Sequence, residues 1–130
     1  MRVYLASTAD ELREFLQESS LDIPEVYAPT PIYFATHPEM DEEEIEFSLS
    51  LLAAEDALEL TDDQSGAPLV IAFEVPDQLL GAFDEVSADL NGPLMWTMVE
   101  AIFLVGEEPE DLTWFAPQEA DSMIAEWLNR

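Results

Sequence analysis

The chain has 130 residues, 48% of them hydrophobic, and sets 30 Asp and Glu against three basic side chains, Arg2, Arg13 and Arg130. A formal charge of −27 with no lysine excludes direct nucleic-acid binding through phosphates, because that affinity comes from Lys and Arg displacing counterions. The absence of Cys removes disulfides, thiolate metal sites and cysteine nucleophiles.

Val3-Tyr4-Leu5 reads as a short strand. It leads into Thr8 and Glu11, which have the spacing of a capping box, and then a helix with Leu12, Phe15 and Leu16 on one face. From 19 to 38 the chain is irregular. Pro24, Pro29, Pro31 and Pro38 punctuate two β-prone pieces, Glu25-Val26-Tyr27 and Ile32-Tyr33-Phe34, and proline confines such pieces to sheet edges. Thr36 and Glu39 repeat the capping spacing, and the acidic run Asp41 to Glu44 suits a helix N-terminus.

The helix predicted over about 39–60 has two apolar faces. At 100° per residue, Ile45, Leu49 and Leu52 share one side, while Phe47, Leu51, Ala54 and Leu58 fall nearly opposite. Both sides need cover, which makes this helix either central or part of a homodimer interface through Ile45, Leu49 and Leu52. Asp56 falls on the Ile45 side and interrupts it.

Thr61 to Gly66 has loop composition. Leu69 to Val75 is a near-continuous apolar run, the pattern of a central buried strand, ended by Pro76-Asp77. One helical turn is expected within Gln78 to Phe83. Val86 to Leu90 and the segment from Leu94 read as a hairpin across Asn91-Gly92-Pro93, since Asn-Gly supplies the positive φ values of a tight turn. Trp96 to Val105 is a second long strand and Leu112 to Phe115 a short third. Pro117 opens a last helix with Ala120, Met123, Ile124, Trp127 and Leu128 on one stripe. The order β-α-(β)-α-β-β-β-β-α gives an α+β fold: one domain over 1–130, a two-layer sandwich with about three helices on one face of a mostly antiparallel sheet.

Little in the chain carries chemistry. His37 is the one histidine, and no G-x-S-x-G elbow exists for it to serve, so it reads as a loop or capping residue. Acidic clusters at 41–46, Asp62-Asp63 and 107–111 could bind Mg²⁺ or Ca²⁺ weakly. Consecutive helical residues point 100° apart, however, so the first run cannot converge on one ion. No metal site, cofactor or catalytic residue is assigned. Glu46, Glu74 and Glu100 each interrupt an apolar run and are the candidates for a carboxylate pair; the plainer reading puts each on the wet side of its element. Trp96, Trp114, Phe115 and Trp127 form either core or a binding corner.

Several segments also carry a resemblance. Arg2-Val3-Tyr4-Leu5, Thr8 with Leu12, Asp41 to Phe47 running into Leu52-Ala53-Ala54, Ala72 to Asp77, and Leu112 to Glu119 together resemble an uncharacterised family of small acidic bacterial proteins, found mainly in actinomycetes. Ala6 stands where that family tends to have Pro, and Pro117 where it tends to have Thr. The resemblance implies a cytoplasmic protein, carries no catalytic residues, and singles out Glu43, Glu44 and Glu46 with Trp114, Gln118 and Glu119.

The chain opens without a charged segment leading into an apolar leader, and no apolar run approaches the roughly 18 residues of a membrane span. The expectation is therefore a cytoplasmic protein with no membrane contact. The first functional expectation is a non-enzymatic interaction or regulatory protein that meets a basic protein partner, in its sharper form by nucleic-acid mimicry. A small Mg²⁺-dependent hydrolase using Glu46, Glu74 or Glu100 beside Trp96 or Trp114 is one alternative. Solubility or salt adaptation alone is the other, since a lysine-free acidic surface fits it as well.

Overall fold

A computed structural model describes residues 1–61 and 66–130. The loop expected over Thr61 to Gly66, and the acidic pair Asp62-Asp63, lie largely or wholly outside the described residues. The elements run β1 (Arg2–Thr8), α1 (Ala9–Glu18), β2 (Ser20–Leu21), β3 (Glu25–Tyr27), α2 (Pro31–Thr36), α3 (Glu42–Leu60), β4 (Pro68–Glu74), β5 (Leu80–Phe83), β6 (Ser87–Leu90), β7 (Leu94–Met95), β8 (Val99–Val105), β9 (Leu112–Phe115) and α4 (Ala120–Leu128).

Seven strands form one sheet in the order β5-β6-β3-β1-β4-β8-β9, with antiparallel neighbours throughout. The fold is α+β, as the pattern of elements implied. The layer count differs from the expectation, because helices cover both faces of the sheet. Alternate residues of β1 and β4 serve opposite cores: Val3, Leu5, Leu69, Ile71 and Phe73 join Leu12, Phe15 and Trp127 under α1 and α4. Tyr4, Val70 and Ala72 join Ile45, Leu49 and Ala53 under α3. A strand buried on both sides reads as an unbroken apolar run, which is why 69–75 showed no alternation. β4 is indeed central.

The helix ends follow local chemistry. Thr8 caps α1 by accepting from the Glu11 N–H at 3.2 Å. The Glu11 carboxylate does not return to Thr8; it accepts from the Ser7 hydroxyl at 2.7 Å. The capping box of α3 is not Thr36/Glu39 but Asp41/Glu44, with both reciprocal bonds present at 2.8 and 3.3 Å. The helix accordingly begins at Glu42.

Three sequence readings are corrected. Ile32-Tyr33-Phe34 is helical, because Thr30 caps the turn and Pro31 occupies its first position, where its missing N–H is harmless. The expected hairpin across Asn91-Gly92-Pro93 does not form. β6 pairs with β3 and β5, while β7 pairs with β2. Among the described residues only Ser19 and Gly66 have positive φ, so residues 91 and 92 lack the conformation such a turn requires. Asn91 instead donates its amide to the Gln78 and Leu80 carbonyls. Finally, 80–83 is strand beyond a 3₁₀ turn at Asp77–Leu79, and 96–98 is a 3₁₀ turn before β8.

The three interface candidates on α3 differ in exposure. Ile45 and Leu49 are fully buried by the chain's own sheet, and Leu52 is half-buried. Ile45 and Leu49 therefore present no apolar surface to a second copy, while Leu52 keeps a part-exposed one. Small residues from both sides share this core: Ala53, Ala54 and Ala57 from the helix, Ala72 and Ala101 from the sheet. The open side of the helix carries Phe47, 57% exposed.

Candidate functional site

The register of the sheet lays a row of partners across its α3 face. Ser87 opposes Tyr27, Tyr27 opposes Tyr4, Tyr4 opposes Ala72, and Ala72 opposes Ala101. Between the tyrosine end of this row and the last turns of α3 lies a gap. The gap is a cleft of about 550 Å³ lined by Tyr4, Tyr27, Glu25, Asp56, Glu59 and Leu60, among others. The Tyr27 hydroxyl donates to the Asp56 carboxylate across it, which accounts for an aspartate on the sheet-facing side of α3. Burial, the hydrogen bond to Asp56, and repulsion from Asp56, Glu55 and Glu25 all raise the Tyr27 phenol above its ordinary value.

Two further clefts flank the same helix. One of about 550 Å³ lies along its first turns, between Met40, Asp41, Glu43, Glu44, Phe47 and Leu51. The other, about 460 Å³, holds Arg2, Phe34, Glu42, Glu46, Glu74 and Asp77. In the latter, burial lifts the Glu46 carboxyl above the usual range; Arg2 opposes this, and Glu42, Glu43 and Glu74 add to it. Helix α3 is thus a wall of all three clefts.

The candidate residues fall on two separate regions. Glu43, Glu44 and Glu46 lie together at the start of α3, with Glu43 and Glu44 in one cleft and Glu46 in the next. Glu44 is also a capping group. Trp114 is 58% exposed on β9, at the far edge of the sheet. Gln118 is exposed just beyond it, and the Glu119 carboxylate accepts from the Ala116 N–H at 2.7 Å, so Glu119 shapes the entry to α4.

Of the three carboxylates considered as a pair, Glu46 and Glu74 share the Arg2 cleft. Glu100 sits apart at a bulge, where the β4–β8 register skips between Ala72/Ala101 and Phe73/Val99. Neither Trp96 nor Trp114 lines the Arg2 cleft: Trp96 packs edge-on against Phe15 at 5.1 Å under the opposite face. Phe115 and Trp127 are likewise paired at 5.1 Å within that core. His37 lies at the exit of α2, its Nδ1 3.0 Å from the Tyr33 carbonyl and its ring against Tyr33. Among the described residues no group of three His, Asp or Glu side chains could hold a metal ion, and no helix is long and apolar enough to cross a membrane.

The Tyr27–Asp56 cleft was missed as a site by sequence reasoning. Its one visible signal was Asp56 on an apolar helix face, and the partner that explains it lies 29 positions away.

A family pattern matches residues 1–111, from β1 to the loop before β9. The chain belongs to this family of unknown function, DUF6912. All three clefts are built within the matched stretch, whereas Trp114, Gln118 and Glu119 lie beyond it. No curated protein and no solved structure matches the chain.

Proposed function

We propose that the chain is a non-enzymatic interaction protein that binds a basic protein partner along the outer side of α3. One observation carries this reading: the helix that walls all three clefts has seven carboxylates in 19 residues and no basic side chain, and Glu42, Glu43, Glu44, Glu55 and Glu59 among them are exposed. Exposed apolar groups sit among those carboxylates, Phe47 at 57% and Leu60 at 50%, so the surface offers contact area as well as charge. Interfaces of this kind anchor on such aromatic and apolar groups, while the charge steers encounter and sets salt sensitivity.

Of the chain's few cations, Arg2 is set beside α3 carboxylates, sharing a cleft with Glu42 and Glu46. Arg13 pairs with Asp10 at 3.2 Å, and the Met1 ammonium with Glu74 at 2.9 Å. Arg2 donates to the Tyr4 hydroxyl at 3.1 Å. The sharper form of the proposal is nucleic-acid mimicry, with α3 lying in the basic groove of a nucleic-acid-handling protein. The resemblance to small acidic actinomycete proteins supports setting it in the cytoplasm of such a bacterium.

The test is capture of partners from native lysate at low and high ionic strength, followed by titration of the identified partner with purified wild type and Glu43→Lys/Phe47→Ser. A basic partner released by salt and weakened by the double substitution is expected. A partner indifferent to both α3 residues, or recovery of this chain alone, would sink the proposal. Competition between the chain and nucleic acid for the same partner separates mimicry from other binding.

A further inference from the structure

Of the three clefts, the one beneath the last turns of α3 is built most like a receptor for a single side chain. Its floor is aromatic, Tyr4 and Tyr27 lying side by side as register partners. Its rim carries Glu25, Asp56 and Glu59, on two different elements, and Leu60 stands half-exposed at the mouth. Among the described residues no cation pairs with any of the three carboxylates, the ion pairs being Met1 with Glu74 and Arg13 with Asp10. Glu25 has a weak bond from the Ser87 hydroxyl at 3.4 Å, and Asp56 has the Tyr27 phenol, so acceptor positions remain on every carboxylate.

We infer that this cleft takes the guanidinium of an arginine side chain from the basic partner, an inference that rests on the function proposed above. A planar guanidinium stacks on aromatic faces and donates to carboxylates in a fixed fork, which a lysine ammonium cannot reproduce. Its aliphatic stem suits an apolar rim such as Val86 and Leu60. The chain already shows the mode on the same tyrosine row: the Arg2 guanidinium carbon lies 5.8 Å from the Tyr4 ring centroid, with Nε donating to the phenol oxygen. The volume of about 550 Å³ is ample for one such side chain. The raised Tyr27 phenol fits a site whose negative charge lacks a counterion.

The experiment titrates the full chain with a short arginine-rich peptide and with its lysine counterpart, following backbone amide shifts and affinity. The arginine peptide should bind more tightly and move the amides of Tyr27, Leu60 and Ser87. Glu25→Gln/Glu59→Gln leaves the Tyr27–Asp56 bond intact and should weaken it about tenfold or more. Glu107→Gln/Glu126→Gln, an equal charge change elsewhere, should weaken it less than about twofold. Glu59→Gln alone, at an exposed residue, gives the same readout should the double variant fail to fold.

Equal losses in the cleft and control variants would overturn the site while leaving the acidic-face function standing. Equal affinity for the two peptides would overturn arginine selectivity and with it the inference. A response of the same amides to Ca²⁺ but not to the peptide would assign the cleft to a metal instead. Failure of wild type to bind either peptide at low ionic strength would remove both the site and the wider proposal.

Discussion

The Tyr27 hydroxyl donates to the Asp56 carboxylate and thereby fastens β3 to the C-terminal half of α3 across 29 positions of chain. Both residues line the cleft between the last turns of α3 and the tyrosine end of the row. A carboxylate facing a sheet is tolerable only with such a partner, since an unpaired buried acceptor is destabilising.

Replacing Tyr27 with Phe should therefore lower stability by about 1 kcal/mol, a modest loss because both groups are half-buried. For a chain of this length that corresponds to a fall of roughly 3–5 °C in Tm. The phenol of Tyr4 is raised too, by burial first, with Glu46 adding and Arg2 opposing. The folded chain thus holds both phenolic protons more tightly than the unfolded chain, whose tyrosines titrate near about pH 10. Their stabilisation is complete below that pH and is lost as pH rises through the folded values. Urea midpoints above about pH 10 should fall steeply for wild type and less steeply for Tyr27→Phe; parallel curves would show that the phenol is not the group responsible.

Acid should have the opposite effect. Glu11 is raised by burial, with the Ser7 hydroxyl opposing and Glu14 adding, and Glu46 is raised by burial and its acidic neighbours. Carboxyls that bind protons more tightly when folded stabilise below their unfolded pKa and give that stability up as pH rises through the folded one. Partial neutralisation also relieves the self-repulsion of a chain at −27. The urea midpoint should rise between about pH 7 and pH 5, and added salt should raise it at pH 7. A midpoint that falls over this interval, the usual acid response, would contradict the argument.

What could be seen in the sequence follows the range of the forces involved. β1, α1, β4 and β9 were visible because each is set by its own residues: a cap, an apolar stripe or an unbroken apolar run. The false hairpin arose because Asn-Gly permits a tight turn without requiring one, and β6 finds stronger pairing with β3 and β5. The second helical layer was hidden because the large apolar part of β1 is only Val3-Tyr4-Leu5, and Ala6, Ser7 and Thr8 beyond it are too small or polar to mark two buried faces. At the candidate site, Asp56 was visible as an interruption. Its partner Tyr27 was not, because only the register of β3 beside β1 brings the two together.

Gly66 supports a close approach that no side chain could share. Its φ is +87°, and a Cβ there would lie 2.8 Å from the Ala9 Cβ and 3.1 Å from the Trp127 carbonyl oxygen. The same junction links the start of α1 to the end of α4, since the Ala9 N–H donates to the Ala67 carbonyl and the Ala67 N–H to that of Trp127. Gly66→Ala combines a left-handed backbone with a steric clash and should destabilise by about 2–3 kcal/mol. Calorimetry would show it as a lowered Tm with the far-ultraviolet spectrum unchanged. A shift under about 1 °C would mean that the junction relaxes freely.

The two sides of α3 should separate stability from binding. Ile45 is fully buried against the sheet, so Ile45→Ala should cost about 2–5 kcal/mol through lost burial and the cavity left behind. Phe47 lies nearly opposite, 57% exposed, and Phe47→Ala should cost under about 1 kcal/mol. If the outer side is the docking surface, Phe47→Ala weakens the basic partner while the folded protein melts almost as before, because an aromatic anchor contributes to the complex and not to the free chain. Ile45→Ala should do the reverse, lowering the melting temperature and leaving the affinity of the folded fraction nearly unchanged. Chemical denaturation and partner titration of the same two variants decide it: a large stability loss at Phe47 would place that residue in the core, and an affinity loss at Ile45 equal to that at Phe47 would deny the outer side any special part in binding.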